Sequence, residues 1–167
     1  MILYPKKYFD KITDIDIEFL NKNNIKALIL DVDNTLIDID RKMLEGLEDW
    51  VQEMKNNNIK FYIVSNSNKL DKIKEVSKKL DIPYFNFATK PLKRGFKKAK
   101  KVLNEENKNI AVVGDQIFTD VLGANRCKMF SILVKPIAEK DIWITVLKRP
   151  LENKIIKMYK SKELKEK

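Results

Sequence analysis

Two carboxylates stand two residues apart at the end of an apolar run. Asp31 and Asp33 follow residues 27–30, which are Ala-Leu-Ile-Leu. A β-strand directs alternate side chains to the same face, so these two carboxylates can converge on one point. Converging carboxylates repel each other unless a cation, a shared proton or hydrogen bonds offset their charge. The pair therefore predicts a reaction centre at the mouth of a sheet.

Other polar residues follow the later apolar runs in the same way. Ser65 comes directly after the second run, Lys90 lies just after the third, and Asp115 follows the fourth, with Asp120 five residues further on. The carboxyl ends of strands in an open parallel sheet share one edge, and ligands bind there. We therefore expect these side chains to line one crevice with the first two carboxylates.

The chemistry of this set is complementary. Asp31, Asp33 and Asp115 offer the hard oxygen ligands that suit Mg²⁺. Ser65 and the backbone N–H groups that follow it lie near a predicted helix start, which suits phosphate, and Lys90 adds a fixed positive charge. Together these groups favour phosphoryl transfer, in which charge neutralisation and positioning supply most of the catalysis.

Composition sets the limits of this interpretation. The 167 residues, 44% of them hydrophobic, fit one domain over residues 1–167. No apolar run is long enough for a membrane span, and the N-terminus lacks the pattern of a signal peptide. The single cysteine, Cys127, suits a reducing cytoplasm. Because the chain has no histidine, acid–base chemistry near neutral pH must use a carboxylate, Lys, Tyr or Cys.

The net charge of +10 leaves two interpretations open. Lysines concentrated in residues 93–101 and 148–167 can simply be solvated helix faces. Alternatively they attract a polyanion, either nucleic acid or an anionic membrane surface. We therefore expect a cytoplasmic protein, with a peripheral position at the inner membrane surface as an open option.

Alternating strand-like and helix-like patterns predict an α/β fold. Apolar stripes at helical spacing separate the strand-like runs, which indicates a central parallel five-stranded sheet covered by helices on both faces. The predicted strands are residues 26–31, 60–65, 82–87, 110–114 and 130–134. The predicted helices are residues 15–21, 44–54, 70–80, 92–103 and 119–125, followed by a helical tail from residue 151.

The motifs resemble those of a known superfamily. The sequence D-x-D-N-T-L after the first strand, Ser after the second, Lys-Pro after the third and G-D-x-x-x-x-D after the fourth look like the four motifs of the haloacid dehalogenase (HAD) phosphohydrolases. The forms D-V-D-N-T-L and G-D-Q-x-x-T-D, with Pro5 and Tyr8 in the lead-in, resemble the YqeG group of subclass IIIA. That group is similar to the phosphatidylglycerophosphate phosphatases of mitochondria and plastids.

This resemblance implies a Rossmann-like three-layer sandwich and a role for each motif residue. Asp31 would be the nucleophile that forms an aspartyl-phosphate, and Asp33 the group that protonates the leaving oxygen and then activates water. Mg²⁺ would be held by Asp31, Asp115 and the backbone carbonyl of Asp33, while Ser65 and Lys90 bind the phosphoryl oxygens. An ordinary aspartate, with a pKa of about 3.9, is a poor general acid at pH 7, so the role expected of Asp33 requires its surroundings to raise that pKa.

Two further residues and the spacing of the motifs complete the expectations. Asp120 is either a partner of the metal or of Lys90, or an acid on a helix surface. Thr35 either hydrogen-bonds the site or stabilises the turn. The segments between the first three motifs are too short for an inserted cap domain, so the resemblance implies an open site without a cap.

The expected function is Mg²⁺-dependent hydrolysis of a phosphomonoester, with phosphatidylglycerophosphate as the substrate that the resemblance suggests. Two alternatives stay open: a phosphatase of another substrate, such as nucleic-acid ends, and a non-catalytic RNA-binding module on the same fold. A receiver domain is disfavoured because Asn86 and Phe87 occupy the region of its acceptor aspartate. Leu133 stands where a cysteine phosphatase that uses Cys127 would need arginine.

Overall fold

The computed structural model describes residues 1–138 and 143–165. Its centre is a parallel sheet of six strands in the order β1-β6-β5-β2-β3-β4, which confirms the predicted α/β class. The strands are Lys7–Phe9 (β1), Ala27–Leu30 (β2), Lys60–Val64 (β3), Tyr84–Phe85 (β4), Ile110–Gly114 (β5) and Phe130–Val134 (β6).

The prediction of five strands was wrong by one. The additional strand, β1, lies in the lead-in and pairs in parallel with residues 132–134 of β6 at the edge of the sheet. It has only three residues, all half-buried, so it carries too little of a pattern to be recognised. At the opposite edge, β4 covers two residues of the predicted strand 82–87, because it pairs only with the end of β3.

Six α-helices cover the sheet in the described part of the chain. They are Ile17–Lys22 (α1), Leu47–Asn56 (α2), Leu70–Leu80 (α3), Lys93–Leu103 (α4), Leu122–Arg126 (α5) and Trp143–Lys165 (α6). The start of α1 is set by Asp16, whose side chain accepts a hydrogen bond of 2.7 Å from the Phe19 N–H. The last helix begins earlier than the predicted tail and includes Pro150, where the sequence suggests a break.

Alternation along β2 produces the layered core. Leu28 and Leu30 belong to the cluster that includes residues of α2 and α3, whereas Ala27 and Ile29 pack with residues of α4 and α5. All four residues are buried, as expected for a central strand with helices on both faces. A smaller cluster joins Leu133 of β6 to Ile155, which places α6 against the β6 side of the sheet.

One predicted helix starts differently. Residues 117–121 form a π-helical turn, Ile117–Val121, that continues into α5. The Gln116 carbonyl accepts hydrogen bonds from the N–H groups of both Asp120 and Val121, at 3.0 and 3.3 Å. The widened turn lies where Asp120 folds back towards the end of β5.

The predicted absence of a large insertion between the first two motifs agrees with the fold. Between β2 and β3 the chain forms only a short hairpin, in which Ile37 bridges to Met43, and then α2. Ile39, at the tip of this hairpin, is exposed. Among the described residues, no helix combines the length and apolar character needed to cross a membrane.

Candidate active site

The site lies where the order of strands reverses. From the adjacent central strands β2 and β5, the chain continues outward through β3 and β4 on one side and through β6 on the other. The Asp31 N–H donates to the Val113 carbonyl at 2.9 Å, so the residues that end β2 and β5 are neighbours. Such a reversal leaves a crevice at the carboxyl ends of the strands, which is the usual ligand site of this architecture.

Three buried carboxylates meet in this crevice. Asp31, Asp115 and Asp120 each present an oxygen, and these oxygens all lie within 4.8 Å of one another. Asp31 and Asp115 follow neighbouring strands, whereas Asp120 reaches the cluster from the π-helical turn. Three carboxylates this close require positive charge, because mutual repulsion in a buried site would otherwise favour their protonation.

Lys90 supplies part of that charge. Its Nζ lies 2.7 Å from Oδ1 of Asp31 and 2.6 Å from Oδ1 of Asp120, and its side chain is 3% exposed. Burial alone would lower the pKa of Lys90, but the carboxylates of Asp120 and Asp31 outweigh burial and raise it. The backbone of Lys90 is fixed by Asn66, whose side-chain oxygen accepts from the Lys90 N–H at 2.6 Å.

Burial also raises the pKa values of two of the clustered carboxyl groups. It raises the pKa of Asp31 to about 7, with Lys90 opposing the shift and Asp120 adding to it. Burial also raises the pKa of Asp115 well above its ordinary value, and the nearby charges of Asp31 and Asp120 add to this effect. The cluster is therefore suited to a bound cation, which would restore the charged forms.

Gly114 is required by the position of Asp120. A Cβ atom at Gly114 would lie 2.2 Å from Cγ of Asp120, far inside van der Waals contact. The Gln116 N–H donates to Oδ2 of Asp120 at 3.2 Å and holds the carboxylate in that place. The glycine of the G-D-x-x-x-x-D motif thus makes room for its final aspartate.

The remaining predicted residues lie at the same edge of the sheet. Asp33 does not join the three clustered carboxylates; its side chain is 37% exposed and forms an ion pair with Lys72 of α3. The Thr35 hydroxyl lies 3.5 Å from Oδ1 of Asp115. Ser65 is buried at the end of β3, and its hydroxyl oxygen accepts a hydrogen bond from the Ser67 N–H at 3.1 Å.

Sequence reasoning missed three charged residues at the site. Lys72 contacts Asp33, Arg149 of α6 contacts Asp115, and the buried Glu152 lies beside Arg149. Lys72 occupies the helical face of Val76 and Leu80, four and eight residues on, and Glu152 likewise shares the buried face of α6. A charged residue on the apolar face of an amphipathic helix is the signal that could have identified Lys72 and Glu152.

Comparison with known proteins gives a consistent family assignment. A family model described as mitochondrial PGP phosphatase matches residues 1–138. The curated protein "Probable phosphatase YqeG" of Bacillus subtilis (strain 168) is 38% identical over 159 residues, which are 95% of this chain and 92% of that protein.

Solved structures share the fold at lower identity. An uncharacterized protein from Listeria monocytogenes serotype 4b is 18% identical, with a TM-score of 0.58 over 71% of this chain and 85% of that chain. The cobalt-bound deoxy-D-mannose-octulosonate 8-phosphate phosphatase from Haemophilus influenzae is 17% identical, with a TM-score of 0.52 over 67% of this chain and 69% of that chain. At these identities the likeness supports the fold alone.

Proposed function

Because this chain belongs to the mitochondrial PGP phosphatase family and is a phosphatase, we propose that it hydrolyses a phosphomonoester by the HAD mechanism, through a phosphorylated Asp31, with Mg²⁺ as cofactor. The family match and the similar phosphatase confirm the expected family resemblance and the expectation of an enzyme. The observation that carries the proposed mechanism is the buried cluster of Asp31, Asp115 and Asp120 at the strand-order reversal, with Lys90 in contact with two of its members.

The donor set fits a hard divalent cation. All the negatively charged candidate ligands in the cluster are carboxylate oxygens, which favour Mg²⁺ over softer metals. We assign the ion to Asp31, Asp115 and the backbone carbonyl of Asp33, and we assign Asp120 to Lys90, with which it forms an ion pair of 2.6 Å. When bound, the ion would neutralise charge on the phosphoryl oxygens and on Asp31.

The first chemical step transfers the phosphoryl group to Asp31. Lys90 and the hydroxyl of Ser65 hold the phosphoryl oxygens, while a carboxylate oxygen of Asp31 attacks phosphorus. The bond from phosphorus to the ester oxygen breaks, and the leaving oxygen takes a proton delivered through Asp33. Lys72 can supply that proton, because its ammonium group is hydrogen-bonded to the Asp33 carboxylate.

The second step releases phosphate. Asp33, restored as a carboxylate, accepts a proton from water as the water oxygen attacks phosphorus, and the bond from phosphorus to Asp31 breaks. Asp33 is more exposed than the clustered carboxylates, so both the leaving group and the incoming water have access to it. This geometry supports the division of roles between Asp31 and Asp33 that the motif resemblance implies.

Trapping the intermediate tests the mechanism. With p-nitrophenyl phosphate and Mg²⁺, we expect turnover by the wild type and a rate below about a thousandth of it in Asp31→Asn. Acid quenching should leave a hydroxylamine-sensitive phosphate on the wild type and none on Asp31→Asn. The matched control is Asp40→Asn, which removes an exposed carboxylate from the nearby hairpin and should retain both properties. Wild-type turnover by Asp31→Asn would refute the nucleophile assignment.

We further propose that the substrate is phosphatidylglycerophosphate presented by a membrane. The family description supports this choice, and so does the short connection between β2 and β3, which contains no inserted domain that would cover the crevice. The outer face of α6 supports it as well, since exposed Leu151 and Met158 lie among lysines that can contact an anionic bilayer. Each lysine near such a surface contributes about 1 kcal/mol. We call this face the α6 outer face; its lysines are Lys154, Lys157, Lys162 and Lys165.

A substrate panel tests the lipid assignment. We expect kcat/KM to be at least about tenfold higher for phosphatidylglycerophosphate in vesicles than for nucleotide, sugar or RNA-end phosphates. The charge reversal Lys154→Glu with Lys157→Glu should weaken binding to phosphatidylglycerol vesicles without changing turnover of p-nitrophenyl phosphate. The matched reversal on α4, Lys100→Glu with Lys101→Glu, should bind vesicles like the wild type. A preference for RNA ends would overturn the lipid assignment.

A further inference from the structure

The C-terminal helix reaches the carboxylate cluster through one arginine. Nη2 of Arg149 lies 2.6 Å from Oδ2 of Asp115, and Nη1 donates to the Asp115 backbone carbonyl at 3.1 Å. The Asp115 side chain is fully buried, and that of Arg149 is 17% exposed. One guanidinium group therefore donates hydrogen bonds to both the side chain and the main chain of Asp115, which follows β5.

Glu152 anchors this arginine from the next turn of the helix. Its carboxylate is 2% exposed, accepts a hydrogen bond of 3.1 Å from the Phe118 N–H and lies 3.6 Å from Nη1 of Arg149. Burial raises the pKa of Glu152, so keeping this carboxyl group inside the fold is costly unless it has partners. Glu152 thus ties α6 to the π-helical turn that carries Asp120.

The geometry divides the two oxygens of Asp115 between different neighbours. Oδ2 accepts a hydrogen bond from Arg149, whereas Oδ1 lies 3.5 Å from the hydroxyl of Thr35, which follows β2. A carboxylate held at one oxygen and at its own backbone carbonyl has little freedom to rotate. The direction of the other oxygen, Oδ1, is then fixed as well.

The charges of the three clustered carboxylates, Glu152 and their cationic partners are consistent with this arrangement. Four carboxylates face two paired cations, Lys90 and Arg149, which leaves two negative charges when all groups are ionised. This excess equals the charge of one divalent cation. The carboxylates are those of Asp31, Asp115, Asp120 and Glu152.

We propose that Arg149 is a positioning residue that orients Asp115 towards the divalent cation, with Glu152 as its anchor. The proposal rests on the metal-dependent phosphatase function proposed above. Hydrogen-bonding partners of metal-ligating carboxylates typically contribute a factor of about 10–100 to metal affinity or activity. Through Arg149, α6 also contacts the site, and this helix lies outside residues 1–138, which the family model matches.

Two substitutions separate positioning from simple charge. Arg149→Lys keeps the positive charge but cannot bridge the side chain and backbone of Asp115 in the same way. Arg149→Gln removes the charge altogether. If Arg149 acts by orientation, both variants should bind Mg²⁺ more weakly, by about tenfold or more. If it acts only by charge, Arg149→Lys should match the wild type and Arg149→Gln should bind Mg²⁺ more tightly.

The main measurement is a titration of thermal unfolding with MgCl₂ at pH 7.5, each variant compared with its own metal-free baseline. The exposed neighbour Asn153 provides the matched control, and Asn153→Ala should respond to Mg²⁺ like the wild type. Glu152→Gln, like the Arg149 variants, should show a smaller rise in unfolding temperature than the wild type at a given concentration of MgCl₂. A second readout is kcat, which in Arg149→Lys should recover towards the wild-type value at saturating Mg²⁺.

The outcomes distinguish this inference from the proposed function. A wild type with neither a Mg²⁺ response nor Mg²⁺-dependent turnover would overturn the proposed function. If the wild type shows both, and Arg149→Lys and Arg149→Gln bind Mg²⁺ as tightly as the wild type does, the positioning role alone would be overturned. Loss of activity in Arg149→Lys that excess Mg²⁺ fails to restore would also count against it.

Discussion

Replacing Asp31 by asparagine should change how stability depends on pH in the absence of metal. In the folded protein, burial raises the pKa of Asp31 from an ordinary value of 3.8 to about 7. The folded state therefore holds its proton more tightly than the unfolded chain does. The resulting stabilisation is fully present below pH 3.8 and is lost as the pH rises towards about 7.

The size of this loss follows from the shift. One pKa unit corresponds to about 1.4 kcal/mol, so the shift of Asp31 corresponds to roughly 4 kcal/mol of unfolding free energy. The side chain is 8% exposed, so solvent screens this effect little. An asparagine side chain does not titrate, and Asp31→Asn should therefore lack this part of the pH dependence. Saturating Mg²⁺ should reduce this pH dependence in the wild type, because an ion bound as proposed would take the place of the proton.

Urea unfolding in metal-free buffer, followed by circular dichroism from pH 4 to pH 8, measures the difference between the two proteins. We expect the unfolding free energy of the wild type to fall relative to Asp31→Asn by roughly 4 kcal/mol across this range. Asp40→Asn, which removes an exposed carboxylate, should follow the wild-type curve. A difference that varies by less than about 1 kcal/mol would refute the argument that burial dominates the Asp31 environment.

Three further predictions concern single residues. Gly114→Ala should abolish most phosphatase activity and destabilise the fold by roughly 1–3 kcal/mol, since its Cβ would collide with Asp120; urea unfolding and turnover measure this, and wild-type activity would contradict it. Lys72→Met should slow hydrolysis of alkyl phosphates more than that of p-nitrophenyl phosphate, whose leaving oxygen needs no proton; equal slowing would contradict a proton-supplying role. Cys127 should react with a thiol reagent far more slowly in the native protein than in denaturant, because burial raises the pKa of its thiol; equally fast labelling would contradict this.

The order of the motifs in the sequence was sufficient to predict which strand ends meet. Alternation along β2 and the rule that parallel strands share their carboxyl edge place Asp31 and Asp115 in one crevice, and the structure brings them together. Lys90 follows the same rule, since it comes shortly after β4 on the same edge. These are local properties of the chain combined with one topological rule.

The partners of these residues depended on how the helices pack. Whether Asp120 faces solvent or the cluster is decided by the π-helical turn, which directs its carboxylate over Gly114. The ion pair of Asp33 with Lys72 depends on where α3 lies against the mouth of the sheet. Neither contact follows from the spacing of residues along the chain.

The sequence by itself determined the α/β class, the edge of the sheet at which the carboxylates meet and the residues that end its strands. Only the tertiary structure decided the sixth strand, the separation of Asp33 from the three clustered carboxylates and the contact of Arg149 with Asp115. Strand ends are fixed by local alternation and by parallel pairing. A contact such as that of Arg149 joins residues 34 positions apart and exists only once α6 has packed against the β6 side of the sheet.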